Sequence, residues 1–432
     1  MSGLKRMLAC FAPLALAACV ALPANKAPAT IASRGADRVD AHPVDLTHGQ
    51  GYFTATFYRA LAEKADRNDN LFISPLSLSQ GLGLAWLGAR GQTAAEMRRV
   101  LGWPETQDPA GLTRAYNERL LATGEPKVEL RIANALWIAD KLPVRKEYLV
   151  AAHQAYDARP EPLSFGSAPA AAADRINGWV SDQTRGRIPK IVSAEGFSAA
   201  TAAVLTNAVY FKGDWQIPFN DGDFGVFKSA DGTKKPIYLM ERVGSMQYRE
   251  TKEGQAVALP YGEGGRFVME VFLPRDTSTL RRWEQQLHGL SFFAGAEGGD
   301  GRFDLSAEKP TIVMLRLPRF EARFNEAVNT ALAEAGMSCA FREGCADFSG
   351  IAPLPMKIDR VAHATYLRVD EKGTEAAAAT AVTIVVTGGR VVSPSVPRMI
   401  VDRPFLVTLR DRASGAVLFF GRISDPTAAA TR

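Results

Sequence analysis

The stretch His363-Ala-Thr-Tyr-Leu-Arg-Val-Asp-Glu371-Lys-Gly-Thr-Glu-Ala-Ala-Ala-Ala-Thr380 decides how this sequence is interpreted. Its first part, residues 364–369, predicts a strand. Its second part runs from a permissive glycine through small residues to a β-branched end near Val386. Four successive alanines in that part favour a helix on propensity alone. Taken by itself, the second part therefore predicts an exposed helical turn followed by a strand.

The rest of the chain from residue 49 onward, which we call the body, alternates helical and extended patterns. Ser74 is placed to be a helix N-cap before Pro75, and residues 76–87 continue as a helix that is apolar nearly all round. Thr93 and Glu96 have the spacing of a capping box, and residues 171–188 predict an amphipathic helix. Further strands are predicted at residues 128–137, 202–211, 256–260, 267–273, 311–317, 404–409 and 416–422. These patterns predict a large α+β domain built on antiparallel sheets.

The first 48 residues indicate export. A basic start and a short apolar run predict a signal peptide over residues 1–18. The motif Leu16-Ala-Ala-Cys19 resembles the bacterial lipobox, which implies a lipid on Cys19, although an ordinary cleavage site with an incidental cysteine is the alternative. Residues 19–48 are rich in Ala and Pro and predict a tether. We expect an outer-membrane lipoprotein that faces the periplasm or the cell surface, or a secreted protein.

Composition excludes several function classes. A net charge of +5 over 432 residues, without a basic cluster, excludes nucleic acid as a partner. No histidine of the body (His153, His288 or His363) lies in a hydrolase or metalloprotease motif, so we expect no enzyme. Cys339 and Cys345 are six residues apart and could form a disulfide or remain free thiols, and they make a poor zinc site. We therefore expect neither a metal nor a cofactor.

Four segments resemble the patterns of the serpin family, and together they span the body. They are Asn70-Leu-Phe-Ile-Ser74-Pro-Leu-Ser77-Leu, Leu205-Thr-Asn207-Ala-Val-Tyr-Phe-Lys-Gly-Asp-Trp215, the stretch from His363 to Thr380, and Asp402-Arg-Pro-Phe405 with Phe419-Phe-Gly421. The resemblance implies a serpin domain over residues 49–427 with a reactive centre loop at 370–400. It also implies three mainly antiparallel β-sheets, eight or nine helices and an exposed loop.

The resemblance also implies which residues control the main sheet. Ser74, Ser77, Asn207 and His363 match a polar cluster beneath the middle of that sheet, and Trp215 matches an aromatic residue where the inserting loop first enters. The implied hinge comprises Glu371, Lys372, Gly373, Thr374, Glu375, Ala376, Ala377, Ala378, Ala379 and Thr380. In an inserted strand, Thr374, Ala376, Ala378 and Thr380 would face the core, and all four are small enough to enter a closing slot.

The implied activity is suicide inhibition of a serine-type endopeptidase. Family spacing places the bait bond at Thr387-Gly388, and Val386 suits an elastase-like protease. Because the loop is longer than is common, Arg390-Val391 is an alternative bait that would suit a trypsin-like protease. A non-inhibitory serpin acting as a substrate, chaperone or carrier is the alternative function. We expect a monomer that contacts a membrane only through its N-terminal lipid.

Overall fold

The computed structural model describes residues 44–104, 108–121, 124–158, 160–287, 305–374 and 396–427. Within these ranges it has eight α-helices. They are α1 (Val44–Ala62), α2 (Pro75–Trp86), α3 (Gly91–Val100), α4 (Pro109–Leu121), α5 (Lys146–Tyr156), α6 (Pro169–Gln183), α7 (Thr277–Gln285) and α8 (Asn329–Glu334). No helix of these ranges is long and apolar enough to cross a membrane.

Fifteen strands accompany the helices within the same ranges. They are β1 (Leu71–Ile73), β2 (Val128–Ala139), β3 (Glu161–Leu163), β4 (Ala203–Asp214), β5 (Asn220–Lys228), β6 (Lys234–Glu250), β7 (Gly254–Tyr261), β8 (Phe267–Pro274), β9 (Pro310–Pro318), β10 (Phe320–Ala327), β11 (Arg360–Val369), β12 (Gly373–Thr374), β13 (Arg398–Ile400), β14 (Phe405–Asp411) and β15 (Val417–Ile423). The predicted α+β class is confirmed.

The main sheet has six strands in the order β10-β11-β12-β4-β2-β3. Its central strand β4 is buried on both faces because its side chains alternate between two cores. Leu205 and Val209 belong to the large core, and Val204 and Ala208 belong to a smaller one. Helix α2 contacts β4 and β2, and helix α6 packs over β4 within the smaller core. The sheet is therefore covered on both faces.

The other sheet has nine strands and accounts for two of the three implied sheets. The long strand β6 joins them, because residues 239–247 pair with β9 and residues 247–250 pair with β7. Strands β8, β14 and β15 continue the sheet to its edge at β1. The implied sheets are thus hydrogen-bonded as two in this chain.

Three details of the predicted elements need correction. The helix predicted over residues 171–188 is α6, which begins at Pro169 and ends at Gln183. Helix α1 begins at Val44, so residues 44–48 of the predicted tether are helical. The capping box at Thr93 and Glu96 is wrong, because α3 begins at Gly91 after an N-cap without a side-chain bond. The Thr93 hydroxyl instead accepts the N–H of Asp347 (2.9 Å), and the Glu96 carboxylate accepts the N–H of Cys339 (2.7 Å).

Cys339 and Cys345 form a disulfide in the structure, with sulfur atoms 2.12 Å apart. The loop that they close packs on α3, because the Glu96 carboxylate accepts the N–H of Cys339 and the Thr93 hydroxyl donates to the carbonyl of Cys345 (3.5 Å). The predicted signal peptide, Cys19 and residues 19–43 of the tether lie outside the described residues.

Candidate functional site

The functional geometry centres on the place where β4 and β11 separate. These strands pair in parallel from Arg360↔Val204 to Thr365↔Val209. Beyond that point the short strand β12 lies between them, where Thr374 pairs with Val369 on one side and Gly213 on the other. Residues 210–212 and 366–368 lie between these two pairings, and we call the gap between them the slot.

Thr374 is the residue that enters the sheet at the top of the slot. It is fully buried, and its Oγ1 lies 2.7 Å from the hydroxyl oxygen of Tyr261. Burial raises the pKa of Tyr261 well above its usual value, so this phenol stays protonated. Gly373 precedes it with φ +156°, and a Cβ there would lie 2.1 Å from the carbonyl oxygen of Gly213. The entry therefore requires glycine at residue 373.

Trp215 holds the residues just before this entry. Its backbone N–H donates to the carbonyl of Lys372 (2.8 Å), and its indole N–H donates to the carbonyl of Asp370 (2.9 Å). Its ring stacks on Tyr261 with the ring centroids 4.2 Å apart. Trp215 thus touches both the chain that enters the sheet and the side chain that receives Thr374.

Glu371 anchors the same turn from outside. The Phe219 N–H donates to its carbonyl (2.8 Å), and Nε of Arg319 donates to its carboxylate (2.6 Å). The Arg319 guanidinium also lies over the Tyr238 ring, 4.2 Å from the centroid. The base of the loop is therefore fixed by one backbone bond and one half-exposed ion pair.

A buried polar cluster lies beneath the closed part of the sheet. Nε2 of His363 accepts the backbone N–H of Ser74 (3.1 Å), so its proton is on Nδ1, which donates to Oδ1 of Asn207 (2.9 Å). The Asn207 amide group then donates to the carbonyl of Ser77 and to Oδ1 of Asn134. Ser74, Ser77, Asn207 and His363 are thus brought together in one cluster.

Burial gives this cluster its electrostatic character. It lowers the pKa of His363 to about 3, so the imidazole is neutral at physiological pH. Ser74 is the N-cap of α2, as predicted, and its hydroxyl also donates to the carbonyl of Leu418 (2.6 Å). The Ser77 hydroxyl has no hydrogen-bond partner among the described residues. The cluster therefore links the parallel β4–β11 contact to helix α2 and strand β15.

The hydrogen bonds continue from this cluster to helix α4. The Asn134 amide donates to Gln80 of α2 (3.3 Å), and the Gln80 amide donates to Asn117 of α4 (2.5 Å). Asn134, Asn207 and His363 lie side by side on neighbouring strands, because the register pairs Asn134 with Asn207 and Asn207 with His363. A continuous series of hydrogen bonds between side-chain amides therefore crosses beneath the sheet.

The opposite face of the slot is crossed by a turn that follows α6. Arg185 (φ +51°) and Gly186 (φ +78°) are left-handed, and we call residues 185–187 the strap. The Arg185 guanidinium lies 6.0 Å from the Tyr210 ring on β4, and that of Arg187 lies 5.7 Å from the Tyr366 ring on β11. Arg185 is also ion-paired with Glu129 (2.7 Å). The strap therefore lies against both of the strands that border the slot, β4 and β11.

Sequence reasoning missed Tyr261, Arg319 and Asn134. Asn134 carried a usable signal, because it shares a strand face with the apolar Ile132 and Leu136 and therefore needs a buried partner. Tyr261 and Arg319 carried none, because each meets its partner across more than 50 residues of chain. Residues 375–380 of the hinge and both bait bonds, Thr387-Gly388 and Arg390-Val391, lie outside the described residues.

The polar cluster beneath the sheet offers few groups for acid–base or metal chemistry. Its one titratable imidazole is buried and hydrogen-bonded on both nitrogens. Within the described ranges, no group of three or more His, Cys, Asp or Glu side chains is arranged to hold a metal ion.

Comparison with known proteins agrees with this geometry. The sequence model of the family described as Serpin (serine protease inhibitor) matches residues 48–426. An uncharacterized serpin-like protein of Thermococcus kodakarensis is 37% identical over 380 residues, which cover 87% of this chain and 84% of that protein. Human Serpin B8 is 34% identical over 394 residues, covering 88% and 100%. The crystal structure of Serpin48 from Tenebrio molitor has a TM-score of 0.75 at 26% identity, covering 88% and 98%.

Proposed function

Because the chain belongs to the serpin family, we propose that it is a suicide inhibitor of serine-type endopeptidases that traps its target by inserting the cleaved loop into the main sheet. The observation that carries this proposal is the position of β12. Gly373 and Thr374 are hydrogen-bonded between β4 and β11 before any cleavage. The first residues of the loop therefore already lie at the place from which the rest would insert.

The proposed reaction begins as ordinary proteolysis. The protease serine attacks the carbonyl carbon of Thr387, the bond to the nitrogen of Gly388 breaks, and the freed amine takes up the proton. The product is an ester between the protease and Thr387. An elastase-like protease suits this bond because Val386 precedes it. If the bait is Arg390-Val391, a trypsin-like protease takes its place.

Insertion then supplies the free energy that holds the protease. About ten new ladder hydrogen bonds, each worth roughly 1 kcal/mol net, give a driving force on the order of 10 kcal/mol. The inward positions Ala376, Ala378 and Thr380 are small, so the first part of an inserting strand would meet little steric resistance. The uncleaved protein is accordingly metastable in this proposal, because its sheet lacks a strand that its own loop can provide.

The test uses the chain from Pro23 onward, without the predicted signal peptide and Cys19. It is incubated with pancreatic elastase and, separately, with trypsin. We expect an adduct that survives denaturing electrophoresis, and a released peptide that begins at Gly388 or at Val391 identifies the bait. Clean cleavage without an adduct would refute the inhibitory mechanism and favour a substrate, chaperone or carrier.

We also propose that the protein is exported and that its mature N-terminus is a lipidated Cys19. The sequence Leu16-Ala-Ala-Cys19 supports this, and Val20 in place of an aspartate favours the outer membrane. Incorporation of labelled palmitate into the full chain, but not into the C19S variant, is the expected result. Equal labelling of both would refute lipidation at this residue.

A further inference from the structure

One face of the nine-stranded sheet exposes apolar side chains next to the base of the loop. Val243 of β6 is 55% exposed, Ile312 of β9 is 59% exposed, and Val396 is 39% exposed. The register pairs Val243 with Met314, and Ile312 lies two residues from Met314 on the same face. We call Val243, Ile312, Met314 and Val396 the patch.

The patch is continuous with the point where the loop rejoins the sheet. Met314 donates its N–H to the carbonyl of Pro397 (2.9 Å) and pairs with Arg398 of β13. Val396 is two residues before Arg398, so an extended chain places both on the face of Met314. The exposed Arg398 adds a positive charge to the rim of the patch.

Packing and strand propensity do not require these residues to be apolar. The core lies on the opposite face of the same strands, where Val313 and Leu315 are fully buried. Threonine satisfies the β-branched preference of a strand equally well, and Ser245 is tolerated on the exposed face of β6. Exposed apolar side chains that are contiguous, rather than scattered, mark interaction surfaces.

The length of chain between the patch and the bait bond determines what can reach it. Thr387 is nine residues before Val396, so these residues can be at most about 30 Å apart. A protease domain of about 230 residues has a radius of roughly 22 Å. A protease seated on the bait bond therefore has its own surface within reach of the patch.

We propose that the patch is a second contact surface for the target protease, which meets it with apolar side chains and an acidic group opposite Arg398. This inference rests on the proposed inhibitory function. The contact forms before acylation, so it raises the rate of association. It leaves the partition between trapping and release unchanged, because insertion decides that partition after the bait bond is cut.

The experiment compares wild type with V243T/I312T, which keeps β-branched residues on both strands. The matched control is L149Q/V150Q, which removes exposed apolar side chains (38% and 55% exposed) from α5. We expect V243T/I312T to lower the second-order rate of adduct formation with pancreatic elastase or trypsin by about tenfold, with an unchanged stoichiometry of inhibition. The control should match wild type. A rate within twofold of wild type with both proteases overturns the proposal.

A second measurement separates this inference from the proposed function. Elastase and trypsin with the catalytic serine replaced by alanine cannot acylate, and their Kd values for each variant report docking alone. If wild type forms no adduct but V243T/I312T binds about tenfold more weakly, the patch stands and inhibition fails. Equal Kd values overturn the patch even where adducts form. V396T, outside both strands, should weaken binding in the same direction and replaces the double variant if that variant does not fold.

Discussion

Oγ1 of Thr374 lies 2.7 Å from the hydroxyl of Tyr261, inside the main sheet and out of contact with solvent. The first of the four hinge side chains that were expected to face the core is therefore already buried in the uncleaved chain. In the proposed mechanism, the side chain of residue 374 must fit between β4 and β11 before the rest of the loop can follow.

We predict that T374R converts the protein from an inhibitor to a substrate. An arginine at this buried position would bring a charge into the sheet without a partner, so insertion slows relative to hydrolysis of the acyl-enzyme. The ratio of adduct to cleaved protein on a denaturing gel should fall at least tenfold. E375R is the control, since alternation predicts that its side chain faces outward, and its ratio should stay near that of wild type. Equal ratios for both variants contradict the prediction.

His363 should make the stability of the native state depend on pH. Burial lowers its pKa to about 3, so between pH 6.5 and 3 the unfolded chain binds a proton that the folded chain does not. Neutral His363 therefore costs the folded state nothing above pH 6.5. Below that pH the free energy of unfolding falls by about 1.4 kcal/mol for each pH unit, down to about pH 3. Protonation would also turn Nε2 into a donor facing the donor N–H of Ser74.

The H363N variant tests this dependence. Its thermal midpoint should fall less steeply than that of wild type between pH 7 and pH 5. H153N removes a half-exposed histidine and should follow the wild-type curve. A wild-type slope in H363N would show that this imidazole does not titrate on unfolding.

Replacing Arg242 with an apolar residue should raise the free energy of unfolding. Its side chain is 4% exposed, burial lowers its pKa to about 10, and its Nη1 donates to the carbonyl of Ile217 (3.1 Å). Its Nε has no partner among the described residues. Replacing a poorly compensated buried charge with a side chain of similar volume removes a desolvation cost, so R242M should stabilise the native state by about 1–4 kcal/mol.

The control for R242M is R422M, because Arg422 is equally buried but is paired with Glu284 (2.8 Å). Removing Arg422 leaves a buried carboxylate unpaired and should destabilise by about 3–5 kcal/mol. Urea midpoints of the two variants should therefore move in opposite directions. A fall for both would mean that the Ile217 contact compensates the charge of Arg242.

The strap should slow the entry of a new strand. Arg185 combines an aromatic contact with Tyr210 and an ion pair with Glu129, and Arg175 makes the same two kinds of contact with Trp137 and Glu161, away from the slot. R185A should take up a synthetic peptide of residues 374–386 roughly two- to fivefold faster than wild type, and R175A should not. Native electrophoresis of the peptide complex measures the rate. Equal acceleration by both variants would remove the special role of the strap.

Local physics predicted eight of the fifteen described strands, and the longest of the seven that it missed are β5, β6 and β10. Apolar runs such as residues 202–211 are continuous because β4 is buried on both faces. Strand β6 was missed because its buried face changes within the strand, from Ile237 and Leu239 to Met240 and Arg242. Strand β10 alternates Phe320, Ala322 and Phe324 with polar residues, so its signal was present. Strand β5 is exposed over most of its length.

The site was predicted less by physics than by family resemblance. The positions of Ser74, Asn207 and His363 have no local pattern in common: the register of β4 and β11 pairs Asn207 with His363, and the packing of α2 brings Ser74 to His363. The capping box at Thr93 failed for a related reason. Its side chains instead accept the backbone N–H groups of Cys339 and Asp347, about 250 residues along the chain, and no local rule anticipates that competition.

The parallel contact between β4 and β11 has a consequence for the direction of the chain. Strand β12 runs antiparallel to both of its neighbours. A strand that continued from it would first fill the slot and would then separate the parallel pairs of β4 and β11. In both places it would form two antiparallel ladders. Antiparallel ladders are slightly more stable per residue than parallel ones. If the loop inserts as proposed, each residue added at this seam would exchange a parallel contact for antiparallel ones, a gain that comes from the direction of the backbone and adds to the fit of the side chains.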